Sequence, residues 1–404
     1  MFAVGCRKSD LLRGGADLRN GSGDTGDGRT GDAQMIDLTL LKSLNEGTED
    51  ERLAALTRAT ARAEFPPVDP RMVNNHIHTN YSFSPYSPSA AVYAARAEGL
   101  ATCGIVDHDS IGGAREFIEA GKIVGIPTTI GIETRVSFAE TPLKDRRTNN
   151  PDQIGNSYMV MHALPHDKIE LVQAYFAPVR EKRNARNRKM IEKINDLYAA
   201  DGVNLDFDRD VLPLSQAAHG GSVTERHLML ALARQLIKLG KASLPEYASE
   251  LETMFAEYDL VGTLKKDCIP KVFIPATDEC PTLSEIVRFA GEVGCILAYA
   301  YLGDVTSSVT GDKKAQKFED DYLDELFAVI DKAGIRAVTY MPTRNSQAQI
   351  ERLRNLCDRY GMQQITGEDI NSPRQSFIIE KMKEEQFSNL IESTWSLIRH
   401  ENGE

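Results

Sequence analysis

The sequence predicts an α/β barrel of about seven strand–helix repeats, interrupted once by a helical insertion. Three observations carry this reading. From Met72 to about Ile365, short apolar runs alternate with segments of helical period, which is the rhythm of parallel βα units. The rhythm breaks after His162, where residues 167–200 are long, charged and helical in spacing. Histidines and carboxylates recur at the ends of the predicted strands, where an α/β barrel builds its site.

Composition narrows the class. The chain has 404 residues, 41% hydrophobic and 26% charged, with a formal net charge of −12. That balance suits a soluble globular protein, and no apolar run approaches a membrane span. A general nucleic-acid binder needs a basic surface, so no nucleic-acid polymer and no membrane are expected as partners. The six cysteines are scattered, with no Cys-x-x-Cys; they read as reduced thiols of a cytoplasmic protein.

Taken in order, residues 1–34 are rich in Gly, Asp, Asn and Thr and read as a disordered extension. Residues 35–68 form a helical segment stopped by Pro66-Pro67. Residues 69–166 hold the first part of the barrel, with strands near 72–76, 101–106, 128–136 and 158–161 and helices over 89–98 and 113–124. Residues 167–270 are the helical insertion, with helical patterns at 167–200, 222–239 and 245–258. Residues 271–404 complete the barrel, with strands at 271–274, 295–298, 335–340 and 363–365, helices at 282–293, 320–333 and 346–360, and a closing helix over 379–398. The basic run Arg180 to Lys189 reads as a solvated face, and the long connection over 139–155 as a loop at the barrel mouth.

The site is anchored by Asn74 to Ser84, NNHIHTNYSFS. His76 and His78 are two apart, so in an extended strand they share a face and suit one metal ion. The next strand ends in Asp107-His108-Asp109, a third in Gly131-Ile132-Glu133, and a fourth delivers His162. Four successive strand ends thus present imidazoles and carboxylates.

Together with Gly367-Glu368-Asp369, these motifs resemble the PHP family, the polymerase and histidinol phosphatase superfamily, over about residues 70–375. The resemblance implies a distorted (β/α)7 barrel around a cluster of two or three metals. The insertion is similar to that of the branch that hydrolyses small phosphorylated molecules, where a basic helix precedes an Arg/His motif like Thr224-Glu225-Arg226-His227. Three positions depart from the family pattern. Phe83 stands where a carboxylate is usual, Tyr299 where a late strand carries histidine, and Asn371 replaces the final histidine. By the family's ligand sharing, His76, His78, Glu133 and Asp369 hold one divalent metal (Zn, Mn or Fe) firmly. His162 serves a weaker second position, and no third metal is expected.

The function implied is a metal-dependent phosphoesterase acting on a small phosphorylated metabolite or nucleotide through a metal-activated water. His108 and His227 are candidates for direct roles, and Asp107 for orienting a ligand histidine. Arginine forks match phosphate geometry; Arg135 is the candidate beside Glu133, and Arg344, Arg374 and Arg226 are candidate substrate contacts, with Tyr299 and Asn371 beside them. Two rival readings stay open: hydrolysis of a non-phosphate bond on the same scaffold, and a binding protein that has lost catalysis.

Overall fold

The structure, a computed structural model, describes residues 38–244, 250–305 and 316–404. The extension read at 1–34 and the start of the helical pattern at 245 lie outside the described residues. Two short helices lead in, α1 (Leu38–Asn45) and α2 (Glu49–Thr60). Thr48 and Glu51 form a reciprocal capping box at the start of α2, satisfying amides that the first turn leaves open.

Then come β1 (Asp69–Ile77), α3 (Pro88–Ala97), β2 (Leu100–His108), α4 (Ala114–Val124), β3 (Thr128–Ser137) and β4 (Asn156–His162). After the insertion follow α8 (Leu283–Val293), β5 (Ile296–Tyr301), α9 (Leu323–Lys332), β6 (Ala337–Tyr340), α10 (Gln347–Tyr360), β7 (Gln363–Thr366) and α11 (Ser388–Glu401). The seven strands form one sheet in sequence order, and helices cover its outer face over one large apolar core. This is the α/β barrel the sequence predicts. The sheet curls until its edges meet: the His78 N–H donates to the Ile370 carbonyl (3.0 Å) and the Ile370 N–H to that of His76 (3.1 Å). Two asparagines stitch the seam. Asn75 donates to the Thr366 carbonyl (2.9 Å) and Asn74 accepts from the Glu368 N–H (3.0 Å). At the far end α11 packs against β7, β1 and β3, and the Glu401 carboxylate accepts from Thr129 Oγ1 (2.7 Å) and the Ile130 N–H (2.8 Å).

Three predicted elements need correction. β4 is antiparallel to both β3 and β5, not a parallel βα strand. No helix separates it from β3, and a parallel return needs a crossover that a loop does not supply. The strand read at 271–274 is the end of helix α7 (Glu250–Val272); the Phe273 N–H still donates to the Ile269 carbonyl (2.8 Å). A three-residue apolar run has no decisive period, and Val272, Phe273 and Ile274 pack on the insertion core. The closing helix starts only at Ser388, after two 3-10 turns, Glu380–Lys383 and Glu385–Phe387.

The helices α5 (Ile169–Leu197), α6 (Glu225–Lys238) and α7 share a second core. α5 belongs to both: Ile169, Val172 and Phe176 pack on the barrel, while Met190, Ile191 and Ile194 pack in the insertion.

Gly367 sits where β7 closes on β1. A Cβ there would lie 2.4 Å from the Cβ of His76 and 2.8 Å from its backbone nitrogen. Gly367→Ala should therefore force the seam apart and destabilise the protein by about 1–3 kcal/mol. Urea unfolding tests this, and an unchanged midpoint would contradict the close approach.

Candidate metal centre and substrate cleft

β1 carries His76 inward and hands His78 to the mouth, while β3 brings Glu133 beside His108 of β2. Among the described residues, ligand atoms of His76, His78 and Glu133 converge within 4.8 Å of one another. Glu133 Oε2 lies 3.7 Å from His76 Nε2, 3.8 Å from His78 Nε2 and 3.0 Å from His108 Nδ1. Asp369 Oδ1 approaches His78 Nε2 at 3.3 Å and is held by the Asn371 amide at 2.6 Å. His78 Nε2 is buried without a well-formed hydrogen bond and faces the space these ligand atoms share. Two imidazoles and one or two carboxylates fit a divalent transition metal.

The electrostatics agree. Burial disfavours charge on His78, yet the carboxylates of Asp369, Glu133 and Asp107 outweigh it and push its pKa up to about 9. Burial works against ionised Glu133 and Asp369 as well. The imidazoles of His108 and His76 nonetheless hold Glu133 well below the usual carboxylate range, and those of His78 and His76 do the same for Asp369. Imidazoles and carboxylates thus stabilise each other's charged forms in this cluster.

Asp107 faces away from the converging atoms. It accepts from the Thr79 N–H (2.7 Å), Thr79 Oγ1 (2.5 Å) and Ser82 Oγ (2.5 Å), and Ser82 Oγ reaches His78 Nδ1 (3.3 Å). It fixes His78 through the loop. His162 lies one layer deeper, because antiparallel β4 ends inside the barrel: Val160, not His162, pairs with Glu133. Its Nε2 is buried and unpartnered, and burial, with the His76 imidazole adding to it, brings its pKa down to about 3.

Several expected site residues are placed elsewhere. Tyr299 pairs with Met159 and Val338 and lies in the outer core, so it does not face the cleft. Inward positions of β5 alternate with it, among them Ala298. Arg135 is buried and shared between Glu279 and Glu225. Arg374 pairs with Asp259 of α7 at 2.6 Å on the exposed surface. His227 is the third residue of α6, its Nδ1 accepting from the Thr224 N–H (3.0 Å), and burial, with Arg183 nearby, brings its pKa down to about 3. Arg344, half-buried, donates to the Leu302 carbonyl (3.1 Å). The solvated face read on α5 is also wrong at its centre: Arg180, Arg183 and Arg186, three apart, are all buried. Arg183 pairs with Asp109 (2.7 Å) and Glu225 (2.8 Å), and Arg186 with Glu225 (2.6 Å) and Glu279 (2.9 Å).

Between barrel and insertion a cleft opens onto His78 and His108. Tyr158, Asp152 and Asn371 flank it, and Arg226 of α6 and Lys265 of α7 form its roof. Tyr158, its ring centre 5.6 Å from that of His108, reaches the mouth because β4 starts there. The sequence reading missed Tyr158, Asp152 and Lys265. Only the helix-free loop before β4 could have signalled the first two, and nothing in the pattern marks the third.

Two measurements follow. Arg183→Ala would leave Asp109 and Glu225 short of their buried partner, a change worth about 3–5 kcal/mol; loss of less than about 1 kcal/mol in urea unfolding would show those charges to be hydrated. Glu319, wholly buried, accepts the Leu302 N–H at 2.8 Å and has one oxygen without a partner. Burial pushes its pKa up to about 7. The native state then holds this proton more tightly than the unfolded chain, so its contribution is complete near pH 4.5 and lost as pH rises through 7. Stability should fall between pH 5 and 8 more steeply in wild type than in Glu319→Gln; parallel profiles would refute the assignment.

A family profile described as the PHP domain matches residues 74–199. A curated 5'-3' exoribonuclease of Haemophilus influenzae is 28% identical over 168 residues, 42% of this chain and 51% of that protein; the chain thus spans about half the length of that relative. Among solved structures, one described as a metal-dependent phosphoesterase from Bifidobacterium adolescentis superposes with a TM-score of 0.53 at 21% identity, covering 81% of this chain and 98% of that one. An amidohydrolase from Chromobacterium violaceum, crystallised with sulfate and no metal, gives 0.53 at 18% identity, covering 76% and 89%. Both likenesses are likenesses of fold. No helix among the described residues is long and apolar enough to cross a membrane. With its HxH strand, its Asp-His-Asp turn and its seven-stranded barrel, the chain is similar to the PHP-domain family, whose profile matches its residues 74–199.

Proposed function

We propose that the chain is a metal-dependent hydrolase, and more specifically a phosphoesterase acting on a small phosphorylated metabolite or nucleotide. The observation that carries this reading is the cleft itself. It opens onto His78, one of the three converging groups His76, His78 and Glu133, and onto His108, and its roof presents Arg226 and Lys265, which among the described residues are held by no ion pair. Two unspent cations facing a metal centre suit an anionic substrate.

A divalent cation held by His76, His78 and Glu133, with Asp369 beside them, would supply Lewis acidity and a nucleophilic water near neutral pH. The chain's own groups do the rest. Asp107 and Ser82 fix the tilt of His78, the outer-layer support that ligand histidines need. His108 stands at the cleft edge with Nδ1 on Glu133, and burial favours its neutral form, so it can take up a proton there. Arg226 and Lys265 would bind and orient the phosphoryl group from above. The net charge of −12 favours a small ligand over a nucleic-acid polymer. The likeness to an exoribonuclease nevertheless puts short oligonucleotide ends on the substrate panel.

Elemental analysis and a substrate panel test this. About one equivalent of metal per chain is expected, lost in Glu133→Gln together with any activity, because the carboxylate is shared among three imidazoles. Full metal retention in Glu133→Gln would refute the ligand assignment. A retained metal with no turnover of phosphate monoesters, diesters or short RNA would sink the hydrolase reading and leave a metal-binding protein.

A further inference from the structure

The loop that follows the metal strand, residues 79–84, is fastened to both halves of the molecule. On the barrel side Ser82 Oγ donates to Asp107 and touches His78 Nδ1, at 2.5 and 3.3 Å. On the insertion side the Ser222 N–H donates to the Tyr81 carbonyl at 2.7 Å. Between these ties stands Phe83, whose φ is +122°, a conformation that residues with a Cβ seldom adopt. Such a conformation persists only where the surroundings hold it.

What holds it is the insertion. The Phe83 ring leaves the barrel and is buried in the second core with Leu228, Val261 and Leu264. It meets His227 edge-on at 5.0 Å and Tyr258 at 5.3 Å between ring centres. The guanidinium of Arg226 lies 5.9 Å from its centroid, within the range of a cation–π attraction. One ring therefore touches the helix that carries the roof cation, while its neighbour in sequence touches a metal-facing histidine.

We infer that Phe83 is a positioning residue: it seats Arg226 over the metal centre and couples the order of the metal-binding loop to the start of α6. The inference rests on reading the cleft as a metal centre beneath a cationic roof. Its consequence is that filling the metal site tightens the roof, with no contact between the metal and the insertion.

Hydrogen exchange with and without added manganese tests the coupling, on wild type, Phe83→Tyr and Phe83→Leu. Leucine keeps the apolar filling and so the fold, but removes the ring. In wild type and Phe83→Tyr, manganese should slow exchange at 76–84 and also at 222–228; in Phe83→Leu the slowing should stop at 76–84. The seating is read from binding of inorganic phosphate to the manganese-loaded protein. Phe83→Leu and Arg226→Ala should each weaken it about tenfold, and the double variant should bind no worse than Arg226→Ala alone. Slowing at 222–228 that survives in Phe83→Leu, or fully additive losses, would overturn the inference. Wild type with no slowing at 76–84 would remove the metal centre and the inference with it. Coupled slowing without turnover of any phosphate ester would sink the phosphoesterase reading alone and leave the role of Phe83 standing.

Discussion

Three guanidinium groups and three carboxylates meet where the insertion rests on the barrel mouth. Arg135, Arg183 and Arg186 face Asp109, Glu225 and Glu279, largely removed from water. Desolvating six charges is costly, and their mutual attraction offsets the cost only when every partner is in place. The six partners come from five stretches: β3, the turn after β2, α5 (which supplies Arg183 and Arg186), the start of α6 and the segment before α8. The array is therefore satisfied in one arrangement of barrel against insertion. Everything that makes the cleft a site, from Tyr158 on one wall to Lys265 on the roof, depends on that arrangement being kept.

The same array explains why arginines are poor guides to phosphate in this chain. Beside a predicted ligand such as Glu133, Arg135 is a natural choice for contacting substrate, yet its charge is consumed by carboxylates that only the fold brings near. Arg226 and Lys265 are left to face the cleft. What marks an arginine as available is the absence of a partner, and partners come from tertiary structure.

The barrel was legible because its signals are local. Apolar runs of strand length, segments of helical period, and the His76-x-His78 face all follow from spacing within a few residues. His76, His78 and Glu133 converge because strand ends of a barrel converge. The antiparallel course of β4 was less visible, although the helix-free stretch before it carried the clue. Tyr299 was misplaced because the period of β5 fixes alternation but not which face looks inward. The buried row Arg180, Arg183 and Arg186 shows the converse: its three-residue spacing was in the sequence, but charge outweighed period in the reading. Lys265 had no signal at all, since its place depends on how α7 crosses the mouth.

Helix α5 is unbroken over 29 residues, about 43 Å at the rise of an α-helix. Its first turns are rooted in one apolar core and its last turns in the other. It is a shared spine rather than a tether. An insertion hung on two loops could be exchanged between proteins, or could drift during evolution, without disturbing its host. Here a one-residue deletion within the spine would rotate everything beyond it by about 100° about the helix axis. Changes of length should therefore be kept out of α5, while substitutions on α6 and α7 can vary the chemistry of the roof without turning it away from the floor.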